Sequence, residues 1–167
     1  EHLSGTILRG VELPDGFSFG GCILVSAEFP RSDLEEAKFP DTDLRFAKFP
    51  DANLRSAEFP DSHLATAEFS DATLSFAKFP RAYLHFAEFP NADLVSAKFP
   101  RADLKSAEFP RSGLRTAEFP NANLKSAKFP DADLQGANFQ GTNLQAINLT
   151  EANLRETEFS EAELRDA

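Results

Sequence analysis

Residues 97–139 decide the fold, and they read AKFPR ADLKS AEFPR SGLRT AEFPN ANLKS AKFPD ADLQG ANF. The segment is a five-residue unit repeated without a break: a small residue, a polar residue, Leu or Phe, and two variable positions. Leu and Phe alternate at the centre of the unit, so the five-residue unit is nested in a ten-residue one. Repetition at a short fixed period is typical of solenoids, in which each repeat packs mainly against its neighbours.

The same spacing extends over almost the whole chain of 167 residues. From Phe19 to Leu164 every fifth residue is Leu or Phe, and the spacing begins earlier, at Leu3, Leu8 and Leu13. One extra residue separates the two runs, and Gly16 is the best candidate, because Pro14-Asp15-Gly16 has the composition of a turn that can absorb an insertion at a corner. No linker interrupts the run, so we predict a single domain over residues 1–167.

The period excludes the common regular structures. A five-residue spacing would carry apolar side chains right round an α-helix. Ten of the eleven prolines directly follow a Phe, and Pro at these intervals breaks helices and the ladders of central strands. Pro also pre-sets the first central residue of type I and type II turns. The chain is therefore predicted to turn a corner about every five residues.

Four such corners close a coil of twenty residues, and residues twenty apart then stack at about 4.8 Å, the spacing of hydrogen-bonded strands. Phe stacks on Phe and Leu on Leu when the sequence is divided in this way. The predicted core ladder contains Phe19, Phe39, Phe59, Phe79, Phe99, Phe119 and Phe139, with Leu24, Leu44, Leu64, Leu84 and Leu104. The residue two before each centre shares its inward side and is small. Ile147 is the large exception, and it coincides with Leu149 in place of Phe, which predicts a local compensation of volume.

These units resemble a known family. ADLKS (102–106), ANLKS (122–126), ADLQG (132–136) and ANLRE (152–156) are similar to the A(D/N)LXX signature of pentapeptide repeat proteins. The resemblance covers essentially the whole chain. It implies an all-β fold, a right-handed quadrilateral parallel β-helix of about eight coils. The AEFP and AKFP units carry Glu or Lys where Asp or Asn is usual, which changes the surface and not the fold.

The composition of the chain restricts the kinds of partner that it is expected to bind. The chain has 27 Asp and Glu against 17 Lys and Arg, a formal charge of -10. An acidic balance argues against direct binding of nucleic acid or of an anionic membrane. No apolar run approaches the roughly 20 residues of a membrane span. Cys22 is the only cysteine, which excludes an internal disulfide and suggests a small buried apolar side chain. We expect a cytoplasmic protein.

The residue pattern does not favour an enzyme. The three histidines, His2, His63 and His85, do not recur together, and metal sites need clustered ligands. Carboxylates are abundant but are distributed over a convex rod, whereas catalytic sites are concave. We therefore expect no catalytic residue, no cofactor and no metal.

Four aromatic side chains depart from the inward pattern: Phe46, Phe76, Tyr83 and Phe86. Phe46 and Phe86 are forty residues apart, which places them in one column about 10 Å apart, and Tyr83 lies on the coil of Phe86. Exposed apolar groups of this kind mark candidate partner-binding surfaces.

Two functions remain open. The first is a non-enzymatic structural or protein-interaction solenoid that presents flat faces to an unknown protein partner. The alternative, implied by the resemblance, is an acidic DNA mimic that binds a type II topoisomerase, as in relatives that confer fluoroquinolone resistance by acting on DNA gyrase. Mixed charges before the Phe centres and the absence of loop insertions favour the first. An unbroken negative face would favour the second.

The C-terminal coil leads to a further expectation. Phe159 and Leu164 end the run of centres, and a terminal coil of a solenoid presents an apolar cross-section and unpaired edges. Glu156, Glu158, Glu161 and Glu163 crowd this coil, and exposed edges are commonly blunted by charge. We nevertheless predict a weak end-to-end homodimer through it.

Overall fold

A computed structural model describes residues 2–14 and 16–165; Glu1, Asp15, Asp166 and Ala167 lie outside the described residues. Within these ranges the backbone consists of turns and single-residue β-bridges, with neither helices nor extended strands. Each bridge lies at the residue directly before a Leu or Phe centre. The regular structure is thus produced by stacking of successive coils and not by long local elements.

All the bridges are parallel, and from Ser18 onward each joins residues twenty apart, as in Ser18 to Lys38 and Lys38 to Glu58. Four ladders of bridges result, and we call them faces. Face 1 runs from Ser18 to Glu158, face 2 from Ile23 to Glu163, face 3 from Glu28 to Asn148 and face 4 from Asp33 to Asn153. The two residues after each Leu or Phe form a corner, named after the faces that it joins.

The corners share one backbone geometry. At the corner after Leu104, the Ala107 N–H donates to the Leu104 carbonyl at 3.0 Å, and the third residue of the turn, Ser106, has a φ of 58°. A positive φ at this position distinguishes a type II turn from type I. Non-glycine residues pay a steric cost there, and contacts between coils offset it: the Arg101 N–H, for example, donates to the Pro120 carbonyl at 3.0 Å.

The core is a double stack of phenylalanine rings flanked by leucines. Phe99 stacks on Phe79 and Phe119 with ring centroids 4.7 and 4.9 Å apart, and it meets Phe89 and Phe109 edge-on at 6.4 Å. All twelve side chains assigned to the core ladder are buried; Phe19, at 6% exposed, is the most accessible of them. Offset and edge-on contacts of this kind add to the stabilisation from burial alone.

The small inward positions are filled mainly by Ala, Ser and Thr, with Cys22 and Ile147 as the exceptions from Cys22 onward. Their few hydroxyl groups are buried but satisfied: Ser62 Oγ donates to the Phe59 carbonyl at 2.8 Å, and Ser112 Oγ to the Phe109 carbonyl at 2.6 Å. A hydroxyl is tolerated at these positions because a backbone carbonyl is within its reach, either three residues earlier or, for Ser32 and Thr42, on the neighbouring coil.

The register changes once, near the N-terminus. Glu12 and Asp33 pair across 21 residues, whereas Ser18 and Lys38 pair across 20. The extra residue therefore lies at the corner that contains Gly16, which has a φ of 69°. A Cβ atom there would meet nothing within 4 Å. Glycine is favoured at this corner by its backbone conformation and not by lack of space.

The last Phe-type position of face 3 is filled differently. Ile147 occupies a small position and is 5% exposed, while Leu149 replaces Phe and packs partly buried against the core. We expect Leu149→Phe to destabilise the protein by about 1–3 kcal/mol, because the added volume meets Ile147. Ile147→Ala in the same chain should restore part of the loss, which a double-mutant cycle of chemical denaturation would measure. Strictly additive effects would contradict the compensation of volume.

Candidate interaction surface

Phe46 and Phe86 lie on corner 2/3, which extends from Val25–Ser26 to Gln145–Ala146. Their side chains are 51% and 57% exposed, in contrast to the Phe side chains of the stacks. Both occupy the positive-φ position of the turn, with φ values of 60° and 57°. The side chain at this position leaves the coil, so a large apolar residue cannot reach the core. The two residues are two coils apart, about 10 Å.

Tyr83 is a third exposed aromatic side chain, and it lies on the adjoining face 2. It is 54% exposed and packs edge-on against His63, with ring centroids 5.8 Å apart at 78°. Together with Asp61 these two rings line a shallow hollow. We call Phe46, His63, Tyr83 and Phe86 the aromatic edge.

Phe76 lies elsewhere. It occupies corner 4/1, and the guanidinium of Arg55 lies 5.6 Å from the centre of its ring. Arginine over an aromatic face is an attractive contact within the protein. Of the four aromatic residues that the sequence singled out, three therefore lie on corner 2/3 and the adjoining face 2, and Phe76 lies apart from them on corner 4/1. His63 was not among them, although its position twenty residues before Tyr83 was a signal that could have identified it.

Two carboxylates beside the aromatic edge, those of Asp43 and Asp103, lie against basic side chains of the same protein. Arg45 Nε and Nη2 donate to the two oxygens of Asp43 at 2.9 and 2.7 Å. This paired hydrogen bond lowers the pKa of the Asp43 carboxyl below its usual range, against a smaller opposing effect of burial. On the coil of Tyr83, His85 Nε2 lies 2.6 Å from Oδ2 of Asp103, which belongs to the following coil.

The lowered pKa of Asp43 leads to a test. A carboxyl group whose pKa is lower in the folded state than in the unfolded state stabilises the fold at pH values above its unfolded-state pKa. This stabilisation is lost as the pH falls through the folded-state pKa. We expect Arg45→Gln to raise the pKa of Asp43, measured by NMR titration of its side-chain carbon. An unchanged titration curve would show that Arg45 does not hold this carboxylate in solution.

The charges on faces 1 and 3 are mixed in sign, and several of them pair between coils. Lys78 lies 2.9 Å from Glu58 on face 1, and Lys128 lies 2.7 Å from Glu108 on face 3. Exposed pairs of this kind each contribute little to stability, but they interrupt any continuous negative stripe.

Face 4 differs from faces 1 and 3, because its bridge positions from Asp33 to Asn153 contain no Lys or Arg, a property that it shares with face 2. Amide groups relieve its acids: Asn53 Nδ2 donates to Asp33 Oδ1 at 2.9 Å, and Asn153 Nδ2 to Asp133 Oδ1 at 2.8 Å. Face 4 is thus an acidic and neutral polar surface.

Residues 2–14 and 16–165 contain no group of three or more His, Cys, Asp or Glu arranged to hold a metal ion. In the described part of the chain, no helix could cross a membrane. Cys22 is partly buried and packs against the core.

Comparison with known proteins gives a consistent result. A family model described as a pentapeptide repeat region matches residues 17–89 and 82–159. Among solved structures, the chain is similar to HetL, a pentapeptide repeat protein involved in heterocyst differentiation regulation from the cyanobacterium Nostoc, with 22% identity over 95% of this chain and 89% of that one and a TM-score of 0.55. It is also similar to trypsin-treated QnrB1, a plasmid-mediated fluoroquinolone resistance protein, with 20% identity over 98% and 82% of the two chains and a TM-score of 0.54. No curated protein sequence matches.

Proposed function

Because the chain belongs to the pentapeptide repeat family, we propose that it is a non-enzymatic protein-interaction solenoid whose contact surface is the aromatic edge. One observation carries the proposal: the Phe stacks are buried, whereas three aromatic side chains are about half exposed, Phe46 and Phe86 on corner 2/3 and Tyr83 on the adjoining face 2. Exposed aromatic side chains on a rigid scaffold are typical anchors of protein interfaces. Pentapeptide repeat proteins are generally non-enzymatic, and the surface here offers shallow hollows in place of a cleft.

The proposal includes the finer description of the fold: a single domain wound in a right-handed sense, with about eight coils. The pairing of residues twenty apart supports the coil length. The scaffold presents the aromatic edge with little conformational freedom, because each corner is hydrogen-bonded to the next coil.

The test uses Phe46→Ser combined with Phe86→Ser. Serine already occupies the same column at Ser26, Ser106 and Ser126, so the melting temperature should remain nearly unchanged. Affinity capture from the source cell, compared between this variant and the native chain, should lose the partner. Phe76→Ser is the matched control and should retain it. If the double variant still captures the partner, or if it loses much of its stability, the aromatic edge is not the interface.

A second candidate is supported by the composition of face 4. The absence of cations from its bridge positions fits a DNA mimic that binds a type II topoisomerase. QnrB1, a fluoroquinolone resistance protein, shares the fold. A gyrase supercoiling assay with titrated protein tests the candidate: inhibition that is lost on changing Asp93 and Asp133 to Lys would support it. Gyrase activity that stays constant at all concentrations would eliminate it.

The end-to-end homodimer remains part of the proposal. The last described coil leaves Leu154 and Leu164 substantially exposed. Sedimentation velocity over a wide concentration range should show self-association that Leu164→Glu abolishes. A sedimentation coefficient that stays monomeric would exclude this contact.

A further inference from the structure

Corner 2/3 carries no carboxylate from Val25 to Ala146, although the protein has an excess of ten acidic charges. Each of the other three corners contains acids: Asp41 and Asp61 on corner 1/2, Asp51 and Asp71 on corner 3/4, and Glu35 and Glu36 on corner 4/1. One edge of the rod therefore differs from the rest in its charge.

The N-terminal half of this corner carries two exposed aromatic side chains, Phe46 and Phe86, and its Arg45 is held by Asp43. Ala65 and Thr66 lie on the coil between Phe46 and Phe86, and their side chains are much smaller than the two aromatic ones. We call the position over this coil, between Phe46 and Phe86, the notch. The rings are about 10 Å apart, which leaves room for one apolar side chain between them.

The C-terminal half of the corner is basic. Lys105 and Lys125 follow Phe86 on the next two coils, about 5 Å apart. Among residues 2–14 and 16–165, neither lysine makes an ion pair, whereas Arg45 is held by Asp43. The nearest acid of face 2, Asp103, contacts His85. These two ammonium groups are available to a ligand.

The backbone of the corner is already occupied. The N–H groups of Phe46 and Phe86 donate to the carbonyls of Ala65 and Lys105, both at 3.1 Å. A partner strand cannot extend the sheet here. A ligand must bind through side chains, so apolar shape and charge decide what binds.

We propose that corner 2/3 docks a short acidic segment of a partner protein. One apolar side chain of the segment fills the notch between Phe46 and Phe86, and its carboxylates pair with Lys105 and Lys125. Glu88 and Glu108 border the corner on face 3. Glu108 pairs with Lys128, whereas Glu88 repels acids near Phe86, so the carboxylates lie beyond Glu88. The notch and the lysines are two to three coils apart, about 10–15 Å, a distance that three to four extended residues span. This inference rests on the proposed interaction function and adds the chemistry of the partner.

The probe is a synthetic peptide with a central leucine, two serines on each side and two aspartates at each end, so that either direction of binding is possible. Two control peptides carry lysine in place of aspartate, or serine in place of leucine. NMR titration of the labelled full chain at low salt would locate the contact and measure its affinity. We expect the acidic peptide to shift the amide signals of Phe46, Phe86, Lys105 and Lys125, and both control peptides to bind at least about fivefold more weakly.

Variants separate the two halves of the site. Lys105→Ala with Lys125→Ala should weaken the acidic peptide about fivefold and reduce the salt dependence of binding. Phe46→Ser with Phe86→Ser should weaken it to a similar extent. Arg115→Ala and Phe76→Ser, on the opposite corner, are matched controls and should leave the affinity unchanged.

Three results would overturn the proposal: equal binding of the lysine peptide, unchanged affinity in the double lysine variant, or no shift of the corner signals with any peptide. Each result leaves the interaction function to be judged separately, by the loss of cellular partners in the Phe46→Ser, Phe86→Ser variant. If capture depends on the aromatic edge while the acidic peptide fails, the partner is not acidic.

Discussion

Ala92→Asp is expected to unfold the protein at neutral pH. Ala92 is 1% exposed and lies at a small inward position of face 4, beside the stacked rings. An introduced carboxylate would have no cation within the core, and burial of an unpaired ion costs several kcal/mol. Native domains are stable by only about 5–15 kcal/mol, so this single change removes much of the total. Circular dichroism melts and the dispersion of amide NMR signals would measure the loss.

Two neighbouring changes serve as controls. Asn91→Asp introduces the same side chain one residue earlier, at an exposed corner. The column of Asn91 already contains Asp51, Asp71 and Asp131. The change should therefore alter the free energy of unfolding by no more than about 0.5 kcal/mol. Ala92→Ser should also be tolerated, because Ser112 occupies the same column and donates to the Phe109 carbonyl. Equal melting temperatures for Ala92→Asp and Asn91→Asp would show that Ala92 is not an inward position.

The loss in Ala92→Asp should depend on pH in a defined direction. Burial raises the pKa of a carboxyl because it penalises the charged form. A raised folded-state pKa means that the folded state binds the proton more readily than the unfolded state. The destabilisation is therefore largest well above that pKa, and it diminishes as the pH falls. Loss of stability that grows with falling pH would contradict burial of the introduced group.

Phe99→Ala is expected to cost about 3–5 kcal/mol, the range for removal of a buried aromatic side chain. Phe99 contacts rings on both adjacent coils and two rings of the opposite stack. The backbone is hydrogen-bonded above and below, so the coil cannot collapse onto the space that the ring leaves. Chemical denaturation at equilibrium would give the free energy of unfolding.

Glu108→Ala is the comparison for Phe99→Ala. Glu108 lies 2.7 Å from Lys128, but both side chains are about half exposed, and such pairs contribute little. We expect a change within about 0.5 kcal/mol. Similar losses in the two variants would mean that the assignment of inward and outward positions is wrong.

The coil and its inside could be inferred from the sequence. Leu or Phe at every fifth residue and Pro after Phe leave one backbone path in which all large apolar groups face one another, because helices and long strands have different periods. The family model confirms membership of the pentapeptide repeat family, and the related solved structures share the fold. The extra residue before Phe19 was also visible, since a strict period makes a single insertion countable.

Contacts among outward side chains could not be inferred in the same way. The period assigns a column to each residue, but a flexible surface side chain can turn toward the coil above or the coil below. Lys98 pairs with Glu118 on the following coil, whereas Lys78 pairs with Glu58 on the preceding one. Similarly, Arg55 covers Phe76, while Tyr83 packs on His63 and extends the aromatic edge. The free energy of burial is large enough to decide which side chains point inward. Alternative contacts of an outward side chain differ in free energy by less than about 1 kcal/mol, so the three-dimensional arrangement of neighbours selects among them.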